Sequence, residues 1–131
     1  MARWNRWKAH HRVFPALAHV RLSSLDLTDV DLEGVSLDDA HLDGTTLVGA
    51  KLAGCSFRSA TLSHANFEHA SLERADLSGA NLSKAVLCGT NLRGARLENV
   101  RLHGATADDR TLWPQHFEPL EHGVELWPGT G

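Results

Sequence analysis

Every fifth residue from Leu22 to Leu102 is a large apolar one, a run of seventeen positions in which Phe57 and Phe67 are the only departures from Leu. An internal repeat of fixed period decides an architecture ahead of any local propensity. On an α-helix five residues turn through roughly 500°, so the leucines would be smeared around the whole circumference. On one continuous strand the side-chain period is two, so an odd repeat would send alternate leucines to opposite faces. The chain must therefore turn a corner once per repeat.

The other repeat positions indicate how it does so. Two residues before each central Leu or Phe stand nine Ala, four Val, two Thr, one Leu and one Cys, from Val20 to Val100. This is a second inward set, and a spacing of two is what an extended segment requires. Two residues after the centre stand glycines at 34, 44, 49, 54, 79, 89, 94 and 104, and mostly Asp, Ser, His or Asn elsewhere. Those types tolerate the backbone of a tight corner.

Units such as Ala75-Asp76-Leu77-Ser78-Gly79, Ala80-Asn81-Leu82-Ser83-Lys84 and Ala65-Asn66-Phe67-Glu68-His69 resemble the pentapeptide repeat family, whose consensus is A-(D/N)-L-x-x. The resemblance covers residues 20–104. It implies an all-β fold, a right-handed quadrilateral parallel β-helix with four repeats per coil and about four coils in this chain. The segment from Gly104 to Pro119 also resembles the tail that closes many members of that family. Asp or Asn precedes the centre in only six of the seventeen units, a departure from the consensus.

With four sides, outward residues twenty apart stack on neighbouring coils about 4.8 Å apart. Four opposite-charge pairs fall at that spacing: Asp31 with Lys51, Asp38 with Arg58, Asp76 with Arg96, and Glu73 with Arg93. A three-sided coil would give only Asp43 with Arg58 and Arg58 with Glu73.

A solenoid leaves a raw strand edge and an open core at each end, and both need cover. Three parts are expected: an N-terminal cap over 1–19, the repeats over 20–104, and a C-terminal cap or tail over 105–131. All four Trp lie outside the repeats, as lids would. At the front Trp4, Trp7, Val13, Phe14, Leu17 and Val20 supply bulk, and the large Leu25, Val30 and Val35 fill the first coil. At the back Leu112, Trp113, Phe117, Leu120, Val124, Leu126 and Trp127 alternate with Pro114, Pro119 and Pro128, the pattern of a short helix or turn laid over the last coil. The basic front (Arg3, Arg6, Lys8, Arg12) also fits contact with membrane or nucleic acid, but the lid is the preferred reading, with neither membrane nor direct nucleic-acid binding expected.

No apolar run is long enough to span a membrane, and the apolar stretch before Ala16-Leu17-Ala18 is too short for an export signal. With Cys55 inward and Cys88 outward, reduced thiols in a cytoplasm are expected. Enzyme chemistry has little footing. His41, His64, His69 and His103 occupy outward or corner positions without metal-ligand spacing, no glycine-rich phosphate loop precedes a helix, and Cys88 has Glu68 rather than a base beside it. Neither catalysis nor a cofactor is expected.

Binding remains. Members of the family that mimic duplex DNA protect DNA gyrase or topoisomerase IV from inhibitors, and such mimicry asks for acid along the axis. Net charge here is −3, and Asp26, Asp29, Asp31, Glu33, Asp38, Asp39 and Asp43 visit all four sides of the first coil in turn, a ring rather than a stripe. From Arg58 to Gly104 six basic residues face four acidic ones. The least charged side carries Leu27, Leu47, Phe67 and Leu87 inside. Outside it shows Thr46, Val48, Asn66, Val86 and Cys88, the candidate interface for a homodimer or an unidentified protein partner. A protein-binding scaffold is thus the primary expectation, and a gyrase-directed DNA mimic acting through the acidic ring is the alternative.

Overall fold

The computed structural model describes residues 1–10 and 16–128. His11, Arg12, Val13 and Phe14 of the expected front, and the last three residues of the expected tail, lie outside the described residues. Residues just before each centre pair in parallel with those twenty positions on: Arg21 with His41, Asp26 with Thr46, Asp31 with Lys51, Ser36 with Ser56, and onward to Val86 with Thr106. At five residues per repeat, twenty residues are four repeats. Each rung uses two backbone bonds. Leu27 N–H donates to Thr46 O at 2.7 Å and Thr46 N–H donates back to Leu25 O at 2.9 Å. The side chains carried on these short extended pieces alternate inward and outward as the strand period demands.

A turn joins successive sides. Val30 N–H donates to Leu27 O at 3.1 Å while Asp29, between them, takes a φ of 60°. A positive φ at the third residue is the type II pattern, in which glycine costs nothing. Corners occupied by Arg74 and Lys84, at 57° and 61°, reach the same conformation with side chains that oppose it. Glycine serves a second purpose at Gly89. A Cβ there would lie 2.6 Å from His69 Nδ1 and 3.0 Å from Cε1, because the His69 ring leans over the corner one coil on. At Gly54 a Cβ would meet nothing within 4 Å. Gly54→Ala is expected to cost only the left-handed strain, about 1–2 kcal/mol. Gly89→Ala should cost more, and His69→Ala should remove the excess; parallel thermal denaturation of the three variants checks it.

The interior is filled. Every centre from Leu32 to Leu92 is at most 4 % exposed, and the alanines at the second inward position fit between them. The polar members of that set are satisfied in one common way. Thr45 Oγ1 donates to Leu22 O, Thr90 Oγ1 to Phe67 O, and Cys55 Sγ to Leu32 O, each reaching the carbonyl of a centre on the coil before. Buried donors without such partners would destabilise the core.

The parallel ladder continues past the leucine run. Ala107 takes the next inward position, one extra residue enters the following corner, and Leu112 then pairs with Asn91 at a spacing of twenty-one. Thr111 repeats the inward hydroxyl, donating to Leu87 O at 2.8 Å. The two-residue strands β1 (Thr106–Ala107) and β2 (Glu125–Leu126) pair in parallel, so the tail adds one more rung to one side. Between them a 3-10 helix spans Pro119–His122, closed by Gly123 at φ 81°. Trp113 and Phe117, ring centroids 5.3 Å apart, pack on the core with buried Val124. Leu120, Leu126 and Trp127, expected in the lid, are instead 65 %, 51 % and 60 % exposed among the described residues.

At the front the cap is an α-helix, α1 (Ala2–Ala9), which lies against one side of the first coil. Its side chains satisfy edge groups that no coil reaches. Asn5 Oδ1 accepts from Asp31 N–H at 2.8 Å, Trp4 Nε1 donates to Asp31 O at 2.6 Å, and Asn5 Nδ2 donates to Asp29 O at 3.1 Å. Lys8, 7 % exposed, pairs with the Asp31 carboxylate at 3.1 Å. Trp7 stacks on Trp4 with centroids 5.3 Å apart. The cap is partial. Leu25, expected to fill the first coil, stands 45 % exposed because α1 covers a different side.

Candidate interaction surfaces

The outward residues are ordered by hydrogen bonds that run between coils. Where Asp or Asn precedes the centre, its Oδ1 accepts the backbone N–H two residues on. Asp26, Asp31, Asn66, Asp76, Asn81 and Asn91 all do this at 3.0–3.1 Å, the Asx turn that these short side chains favour. Where Ser56 and Thr61 replace them, an acid from the preceding coil supplies the acceptor. Asp38 Oδ1 takes Arg58 N–H at 2.9 Å and the Ser56 hydroxyl. Asp43 takes Ser63 N–H at 3.1 Å, the Ser63 hydroxyl at 2.7 Å and the Thr61 hydroxyl at 2.9 Å. Burial works to raise the Asp43 carboxyl, and these three bonds, helped by His41, more than offset it and hold it below the usual aspartate value.

None of the four charge pairs expected at a spacing of twenty closes as an ion pair. Asp31 turns to Lys8, Asp38 binds the Arg58 backbone rather than its guanidinium, and Glu73 Oε1 accepts from Asn91 Nδ2. Arg58 reaches Asp76 instead, at 3.9 Å and a spacing of eighteen. The side chain after one centre leans diagonally toward the side chain before the next coil's centre, a neighbour within reach of long side chains.

The acidic ring is accordingly occupied. Asp26 accepts from the Thr28 hydroxyl at 2.6 Å and from its N–H, and that hydroxyl above all holds its carboxyl below the ordinary value. Asp31, Asp38 and Asp43 are tied as described. Asp39 faces His19 at 4.0 Å. Glu33 is exposed, with its own N–H turned to Asp31.

Thr46, Asn66 and Val86 follow one another on the longest ladder, Asp26–Thr46–Asn66–Val86–Thr106–Glu125. Val48, Glu68 and Cys88 form the companion row, linked by Gly49 N–H to Glu68 O and His69 N–H to Cys88 O. Val86 and Cys88 therefore adjoin, while Val48 stands two coils from Cys88, with Asn66 and Glu68 between. All of these are half-buried. Burial first, then Asp108 and Glu68, raise the Cys88 thiol above its ordinary value. Burial pushes Cys55 up to about 12. Asp108, which sequence reasoning passed over, organises the end of this row. Its Oδ1 accepts Gly89 N–H and its Oδ2 pairs with Arg110 at 3.0 Å. Against burial these contacts, Arg110 foremost, keep its carboxyl low. The signal was available as an acid at the first corner that breaks the five-residue beat.

Among the described residues no three of His, Cys, Asp and Glu converge to hold a metal ion. Among them, too, no helix is long and apolar enough to cross a membrane.

A coil of four five-residue units, with small residues and leucines inside and Asx turns outside, defines a class. The sequence profile described as pentapeptide repeats (8 copies) matches residues 17–54, 40–79 and 70–106, and the chain belongs to the pentapeptide repeat family. A pentapeptide repeat protein of the Arabidopsis thaliana thylakoid lumen is similar at 33% identity and a TM-score of 0.65, over 70% of this chain and 65% of that one. This chain thus spans just under two thirds of that relative's length. Rfr23 from the cyanobacterium Cyanothece 51142 is 28% identical over 75% of this chain and 87% of its own, with a TM-score of 0.38. QnrB1, a plasmid-mediated fluoroquinolone resistance protein, is 19% identical over 83% of this chain and 66% of its own, with a TM-score of 0.33. No functionally curated protein matches the chain.

Proposed function

We propose that the chain is a non-enzymatic scaffold that holds a protein partner along the side bearing Thr46, Val48, Asn66, Val86 and Cys88. The observation that carries this reading is the ladder itself: between Asp26 and Glu125 four consecutive rungs, Thr46, Asn66, Val86 and Thr106, are uncharged, and no other ladder has more than three uncharged rungs in a row. An uncharged wall is cheaper to desolvate against a partner. Membership of a repeat family of rigid solenoids supports a scaffold in general. In this reading the coil is right-handed and four-sided, residues 1–19 and 105–131 serve as its caps, and the protein works in the cytoplasm. The acidic ring supports gyrase mimicry poorly, because its carboxylates visit all sides of the first coil rather than running along the axis, and Asp31 is already paired with Lys8. As a surface change, Val86→Lys is expected to leave stability within about 0.5 kcal/mol. It should abolish capture of the partner in cross-linked pull-downs, while Lys51→Glu on another side leaves capture intact. Equal capture by both variants would remove this side from consideration, and protection of gyrase supercoiling from a quinolone at low protein concentration would establish the mimic instead.

A further inference from the structure

Four of the chain's arginines stand around one corner of the solenoid. Arg74 shares a column of corner positions with Gly34, Gly54 and Gly94, each twenty residues from the next. It is the one side chain in that column, held at a φ of 57° that opposes it. Arg74 N–H donates to Arg93 O at 2.9 Å, which sets Arg93 beside it on the next coil. A Cβ at Gly94 would lie 3.1 Å from Arg74 Cγ, so the Arg74 stem crosses that corner and the glycine leaves it room. Past the inward Ala95, Arg96 begins the next side and pairs along its ladder with Asp76. Arg58 reaches the same Asp76 at 3.9 Å from the coil before. All four arginines are exposed.

The nearby carboxylates are engaged elsewhere. Glu73 accepts from Asn91 Nδ2, and Glu98 accepts the Ser78 hydroxyl at 3.2 Å. Asp76 is the acid set among the arginines, and its Oδ1 also accepts Ser78 N–H. Among the described residues no carboxylate lies within ion-pairing distance of Arg74, Arg93 or Arg96. Cations gathered without partners repel one another, and a bound anion relieves that repulsion. Guanidinium is the group whose paired N–H donors match phosphate oxygens. These four surround a corner rather than run along the axis. They therefore suit one doubly charged group better than the evenly spaced single charges of a nucleic-acid backbone. An exposed corner is convex and buries little of a small molecule, so that group must arrive on a larger partner.

We propose that Arg74, Arg93 and Arg96, with Arg58 behind them, form a site for a phosphate monoester carried by a protein partner, a phosphoserine or phosphothreonine on an exposed segment. Arg74 and Arg93 take the phosphoryl oxygens, and Arg96 adds charge from beside Asp76. The site uses no residue of the wall of Thr46, Asn66 and Val86, so each reading can fail without the other.

The test follows the arginine Nε–Hε resonances of the full chain by NMR as a phosphoserine peptide in a Gly/Ala background is added. Arg74, Arg93 and Arg96 are expected to shift together. They should saturate at a concentration at least about tenfold below that needed with glutamate in place of the phosphoserine. Arg74→Gln with Arg93→Gln should abolish that preference. Lys84→Gln with Arg101→Gln, which removes the same charge from another side, should keep it, as should Val86→Lys. Because it removes unrelieved repulsion, the chain with Arg74→Gln and Arg93→Gln should melt no lower than wild type in chloride; a lower melting temperature would assign these arginines to the fold instead. Equal binding of the glutamate and phosphoserine peptides, or shifts spread equally over Arg3, Arg21 and Arg101, would overturn the proposal. So would inorganic phosphate saturating the site at the peptide's own concentration, since the ligand would then be a small anion.

Discussion

Replacing Phe67 with alanine is expected to lower stability by about 3–5 kcal/mol, the largest loss at any single position of the repeat. Phe67 is 0 % exposed, midway along its side between Leu47 and Leu87, and its carbonyl accepts the Thr90 hydroxyl, so neighbours on both coils hold the site open around a truncated side chain. A close-packed interior relaxes only partly into such a void. The position also lies where a one-dimensional stack is most vulnerable. Each coil contacts only the coils beside it, so weakening a central interface separates two pieces too short to persist alone. Denaturant unfolding should show a lower midpoint with an unchanged slope. Phe67→Leu restores the residue that fills fifteen of the seventeen centres and should cost less than about 1.5 kcal/mol. A leucine variant as damaged as the alanine one would mean that this coil is built around the aromatic ring, contrary to the uniform repeat. Leu97→Ala, at a partly exposed centre near the end of the leucine run, should cost less than Phe67→Ala.

That contrast follows from what the repeat made legible. Since a five-residue period is compatible with neither helix nor continuous strand, the inward pair and the corner of each unit were readable from Val20 to Gly104, and units four repeats apart pair in parallel. The outward face was less readable, because a one-letter pattern locates a side chain on a wall without telling which neighbour it leans toward. Asp38 looks like a charge awaiting Arg58 at a spacing of twenty, and Asp43 like one more member of the acidic ring. They are acceptors for backbone N–H groups whose own units have Ser56 or Thr61 in place of Asp or Asn. The diagonal spacing of eighteen, shared by Asp38 with Ser56, Asp43 with Thr61, Glu73 with Asn91 and Arg58 with Asp76, is a geometric consequence of the coil. The ends were legible only as bulk. Five residues per beat say nothing about α1, and the extra residue before Thr111 shifts the last coil out of register with any count made by fives. The proposed interface was the least marked in the sequence, since it rests on an absence of charge at Thr46, Asn66, Val86 and Thr106 rather than on a reactive group.

Removing the side chains of Trp4 and Asn5 together is expected to cost about 2–4 kcal/mol and to make the protein aggregate. In the repeat, the residue before each centre turns its N–H and C=O toward the coil before it. Among the described residues no strand precedes Asp31, and Asn5 Oδ1 and Trp4 Nε1 take those two groups as a preceding strand would. Without them Asp31 presents a raw edge beside Leu25 and Leu22, two inward positions that α1 leaves incompletely covered. Such an edge is a template for another chain. The double variant Trp4→Ala, Asn5→Ala should therefore unfold at lower denaturant and gain thioflavin-positive or light-scattering aggregates on storage. Asn5→Asp separates the two effects. It keeps the size of the side chain and an oxygen for Asp31 N–H, but it loses the donor to Asp29 O and sets a carboxylate oxygen against that carbonyl oxygen. It should lose stability with little gain in aggregation, because the added charge guards the edge it has loosened. Equal aggregation by the aspartate and alanine variants would show that the exposed apolar end, rather than the open backbone of Asp31, is what nucleates the aggregates.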